Sequence, residues 1–100
     1  MRKGTTPTHV FALGIDAELV KDLRVIYAQN GRTIVRRDLN SCTLNGGELT
    51  VKLTQGETLR FDANKMVNIQ IRVLTTGGDA LASDIIAVTV DDCLDNEVIV

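Results

Sequence analysis

The sequence predicts an all-β fold: an antiparallel, immunoglobulin-like β-sandwich of six to seven strands with one short helical turn. Three observations carry that reading. Valine, isoleucine and threonine number 11, 8 and 11 among 100 residues, and β-branched side chains suit a pleated surface better than a helix. Apolar and polar residues alternate with period two in several segments. Turn signals separate these segments at intervals of roughly 8–12 residues, the rhythm of a sandwich. A small barrel is the alternative.

The elements follow in order. Residues 1–7 read as an N-terminal arm, with Pro7 holding Thr6 extended. Thr8–Leu13 is a strand with Phe11 and Leu13 on one face and Val10 and Ala12 on the other. Gly14–Lys21 is a connection in which Asp16–Leu19 can make one helical turn. Leu23, Val25 and Tyr27 alternate with Arg24, Ile26 and Ala28, a half-buried strand. Asn30-Gly31 follows, the dipeptide that most cheaply supplies the two positive φ angles of a type I′ turn, so 22–29 and 32–37 form a hairpin.

Residues 41–44 read as a short strand before a turn at Asn45-Gly46-Gly47. Leu49, Val51 and Leu53 then alternate with Thr50, Lys52 and Thr54. Thr54-Gln55-Gly56-Glu57 has capping-box spacing and predicts a helical turn over 55–60, with Leu59 and Phe61 plugging the end of the core. Val67, Ile69, Ile71 and Val73 face one way in the cleanest strand. Gly77-Gly78 turns the chain into a last long strand, 82–90, with Ile86, Val88 and Val90 inward. Residues 91–100 are an acidic tail ending in Val98-Ile99-Val100. The whole, 1–100, is one domain.

Composition narrows function. The apolar fraction is 44% and the charged fraction 24%, ordinary for a globular chain. No apolar run approaches the ~18 residues of a membrane helix, and the first residues lack the apolar stretch of a signal peptide. Cys42 and Cys93 make no disulfide scaffold and are expected to be reduced. The single histidine, His9, lies inside a strand pattern with no Ser/His or Cys/His motif around it, so no catalytic residue is assigned. No cofactor or metal is expected. The acidic run 91–97 lacks the glycine and ligand spacing of a calcium loop, and Gly46-Gly47 and Gly77-Gly78 precede no phosphate-binding helix.

Charge is distributed unevenly. Residues 1–76 carry +4 and residues 77–100 carry −6. Chance surface polarity is one reading. The other is a molecule with a basic and an acidic pole, suited to head-to-tail packing of copies. Candidate interaction residues are therefore Arg32, Arg36 and Arg37 on the return strand of the hairpin, Asp91 and Asp92 in the tail, and Val98, Ile99 and Val100. The arginines also serve as edge protection, and nucleic acid is not expected with aromatics at 3%. The Val98–Val100 segment either pairs within its own sheet or adds to a neighbour's exposed edge.

Three stretches carry a family resemblance: Gly4–Phe11, Lys21–Gln29 and Leu53–Phe61. The segments Ile69–Leu74, Ala82–Ile85 and Leu94–Ile99 continue it. Together they resemble small uncharacterised phage and prophage structural proteins of Gram-positive bacteria. The order of features is loosely similar to the N-terminal β-sandwich module of phage baseplate upper proteins, without the long fibre-linking region. The resemblance implies a non-enzymatic virion structural or assembly protein of the tail, baseplate or head-decoration class. Its partners would be copies of itself or neighbouring phage proteins. It would reside in the host cytoplasm during assembly and then in the virion. A soluble accessory protein that binds and inhibits a host protein is the alternative, since a dense acidic face can mimic nucleic acid.

Overall fold

The computed structural model describes residues 1–100. Two antiparallel sheets pack face to face as a β-sandwich. Strands β1 (Thr8–Ala12), β4 (Thr43–Asn45) and β5 (Glu48–Lys52) form a three-stranded sheet in the order β1-β5-β4. Strands β2 (Val20–Gln29), β3 (Arg32–Asp38), β6 (Met66–Thr75), β7 (Ala80–Ala82) and β8 (Ile86–Thr89) form the other, in the order β3-β2-β6, with β7 and β8 sharing the far edge of β6.

Alternation along β2 and β6 builds the core. Leu23, Val25 and Tyr27 on β2, and Val67, Ile69, Ile71 and Val73 on β6, point at Leu49 and Val51 of the small sheet, and all are buried. The β2–β3 hairpin turns at Asn30 and Gly31, whose φ angles of 53° and 74° are those the type I′ turn demands. Tyr27 pairs with Val35 but Ala28 pairs with Thr33, so Ile34 is the extra residue of a bulge. A single 3-10 turn, Ala17–Leu19, leads into β2 as the sequence leads one to expect.

Two crossings carry the chain between sheets. Between β3 and β4 it passes through a 3-10 turn, Leu39–Ser41, closed by a capping box of Asp38 and Ser41. The sequence reading placed Ser41 in a strand; the Asp38 side chain instead captures the backbone N–H groups of Asn40 and Ser41. Between β5 and β6 the helix α1 (Gln55–Leu59) forms on the predicted capping box of Thr54 and Glu57. Phe61 follows it into the core, and Leu59 is half-buried. Gln29, buried at the end of β2, holds this loop in place. Its amide donates to Asp62 O at 2.9 Å and accepts from Asp62 N at 2.7 Å.

The expected strand 82–90 is two strands. Along β7, Ala82 pairs with Arg72; along β8, Ile86 pairs with Ile69. Three residues, 83–85, therefore face two on β6, a bulge that splits the edge. Ser83 fills the break: its Oγ accepts from Ile71 N at 3.0 Å and donates to Asp84 O at 2.8 Å. Ile86 and Val88 keep the inward parity read from the sequence, and Val90 is buried.

Residues 1–7 are not a free arm. Arg2 bridges Asp91 in parallel, Lys3 N donates to Asp91 O at 3.0 Å, and Asp91 N donates to Met1 O at 2.7 Å. Thr58 Oγ1 donates to Thr5 O at 2.9 Å, fastening the same stretch to α1. Residues 92–100 form no strand.

Candidate functional site

The two long sides of the sandwich differ. One is closed by side chains. Arg37, on the free edge of β3, donates from Nε to Glu57 Oε2 at 3.0 Å and from Nη2 to Glu57 Oε1. The same guanidinium donates to Ser41 O and Lys52 O, each at 2.9 Å. One residue thus joins β3, the 3-10 crossing, β5 and α1, using the fork geometry that only arginine presents. Burial by itself would raise the Glu57 carboxyl, but the Arg37 and Thr54 hydrogen bonds outweigh it and hold the carboxyl below its ordinary range.

The other side is open. Strand β1 is the edge of the small sheet, and β7 and β8 are the edge of the large one. Between them lies a groove of about 510 Å³. Ten of its eleven lining residues are apolar, among them Val10, Phe11, Leu13, Val73, Leu81 and Ile86. Leu81 and Ile86 share the inward face with their register partners Val73 and Ile69, yet they are 46% and 41% exposed. Inward-facing leucine and isoleucine stay wet here because no strand covers them. Val10 on the opposite lip is 57% exposed and Ile85 in the bulge 62%. The only polar lining residue is Ser83, whose hydroxyl already bonds backbone on both sides. No polar side chain of the lining is left to orient a small polar ligand.

On the outer face of the large sheet, Arg24 stands directly opposite Arg72, and Ile26 of β2 pairs with Arg36. Like charges facing each other across strands are unfavourable. None of these three arginines lies within ion-pair distance of a carboxylate; the ion pairs are Met1–Asp91, Arg37–Glu57 and Lys65–Asp62.

The sequence-predicted residues fall into separate places. Arg37 is engaged inside the molecule, whereas Arg32 and Arg36 are exposed on the β3 edge and face. Asp91 sits at 4.0 Å from the Met1 amino group and Asp92 is exposed beside Arg2. Val98, Ile99 and Val100 are exposed at the α1 end, where the Gln55 amide accepts from Ile99 N at 3.0 Å and donates to Ile99 O at 3.2 Å. The groove residues Val10, Leu81 and Ile86 were not singled out as interaction residues from sequence. The adjacent pair Ile85-Ile86 was the available signal, since a regular strand cannot turn both inward.

The ionisable groups of the interior do not converge on a cleft. His9 Nδ1 lies 2.7 Å from the Tyr27 hydroxyl, with the two rings stacked at 5.7 Å. Burial, and then the N-terminal amino group, lower the His9 pKa and favour its neutral form. Burial pushes the Tyr27 hydroxyl well above its ordinary pKa. Cys42 and Cys93 are free, and burial raises the Cys42 thiol. No group of three His, Cys, Asp or Glu side chains is placed to hold a metal ion, and no helix is long and apolar enough to cross a membrane. Comparison of the chain with protein-family models, curated proteins and solved structures found no match.

Proposed function

We propose that this chain is a non-enzymatic structural or assembly component of a phage particle, acting by packing against copies of itself or neighbouring particle proteins. The observation that carries the reading is the open side of the sandwich. It presents two unpaired strand edges flanking an apolar groove, with Leu81 and Ile86 turned inward and left uncovered. An unpaired edge is a template for further strand pairing: β1 offers it over Thr8–Ala12, while the β7–β8 edge is short and broken by the bulge. Exposed contiguous apolar surface of this kind marks an interaction site. The resemblance to phage and prophage structural proteins supplies the setting.

The test is the composition of purified particles released from a lysogen carrying the gene. Stoichiometric recovery of the protein by mass spectrometry, in particles that survive a density gradient, supports the reading. Its absence from particles of normal morphology overturns it.

A further inference from the structure

We infer that the groove between β1 and the β7–β8 edge receives residues 94–100 of a second copy of this chain. The inference rests on the packing function proposed above and names its contact. The occupant is identified by three features of that segment. First, its last three residues are apolar and β-prone where the groove is apolar: Val98, Ile99 and Val100 are exposed, as is Leu94, and Leu94 and Val100 have no cover at all. Second, its present seat is slight. The last residues are held by the amide of one side chain, Gln55, which imitates the two hydrogen bonds of a strand partner. A free sheet edge supplies those bonds repeatedly.

Third, charge and period match. In an extended segment Leu94, Asn96, Val98 and Val100 face one way, and Asp95, Glu97 and Ile99 the other. With Val98 and Val100 in the groove, Asp95 and Glu97 lie on the outer face of the large sheet. There Arg72, one strand behind Ala82, has no carboxylate partner; Arg24 stands between Arg72 and Asp38 without an ion pair, and Asp84 lies in the bulge of the same edge. The segment and the groove lie towards opposite ends of the small sheet. The tail sits beside Gln55, just past the Lys52 end of β5, while the groove runs along β1 to Leu13 and Ile15 beyond its Glu48 end. Donor and acceptor surfaces are therefore different patches, and the contact is head-to-tail, closing into a ring or extending as a filament.

Two full-length variants test this. Val98→Asp with Val100→Asp damages the donor, and Leu81→Asp damages the groove; all three positions are exposed, and circular dichroism checks that each variant folds. Sedimentation velocity at low salt should show self-association of the unaltered chain, weakened about a hundredfold in each variant by charge in an apolar contact. Mixing the two variants should restore one intact contact and yield a one-to-one dimer, lost again in high salt. A mixture that stays monomeric overturns the contact. If the unaltered chain assembles and both variants assemble equally well, this contact is overturned while the packing function stands. If the unaltered chain is monomeric at every concentration, the contact and self-packing both fall.

Discussion

At the scale of single residues, the four aromatic rings, counting the imidazole, form one row. Phe11 and His9 of β1 lie 6.2 Å apart, His9 stacks on Tyr27, and Tyr27 meets Phe61 at 6.2 Å. The row crosses from the small sheet to the large one, so the lone histidine serves the core. Tyr27→Phe keeps the packing but removes the hydroxyl that the His9 nitrogen faces. We expect a loss of about 1 kcal/mol in urea unfolding, the usual worth of a partly buried hydrogen bond. The lowered His9 pKa has a pH consequence of fixed sign. The unfolded chain binds the proton more readily than the fold, so His9 contributes fully above the ordinary value of 6.5. That contribution is lost as pH falls through the folded-state pKa. Melting temperature should therefore decline from pH 7 towards pH 5, and His9→Gln should flatten that decline. The inward parity of Leu23, Val25 and Tyr27 was legible in sequence because it is local. The role of Arg37 was not: beside Arg32 and Arg36 it is one arginine of three, and only the fold brings Glu57 to it.

At the scale of elements, local chemistry decided what the sequence could disclose. Asn30-Gly31 and the Thr54–Glu57 box each contain their own reason for turning, and both form as read. Thr54→Ala removes the acceptor for Glu57 N and should cost about 1 kcal/mol, measured by thermal unfolding. Glu57→Gln loses the charge on the Arg37 clamp. Because the Glu57 carboxyl is held below its ordinary 4.5, its contribution is intact above that pH and is lost as pH falls through the folded-state pKa. The variant should thus be less stable at pH 7, and its deficit should shrink towards pH 3. The split between β7 and β8 was hidden for the opposite reason. A bulge exists only relative to a partner's register, and period two within 82–90 carries no record of β6.

At the scale of the whole molecule, two layers were readable from composition, period and turn spacing. The identity of the free edges was not, because strand order is non-local: the chain does not announce that β5 separates β1 from β4, or that β7 and β8 share one side of β6. That order makes one long side closed, locked by Arg37, and the other open. It separates the charges only in part: four of the six carboxylates of residues 77–100 lie in the tail, while Asp79 and Asp84 flank β7 on the large sheet that carries the unpaired arginines. A self-assembly built on this arrangement must weaken with ionic strength, since screening lengths shrink to about 3 Å at 1 M salt. The most direct measurement is the solution mass of the unaltered chain across a concentration series from micromolar to millimolar at low salt. We expect a ladder of multiples of the 10.9 kDa protomer that collapses on adding salt. A single 10.9 kDa species throughout the series would contradict the account.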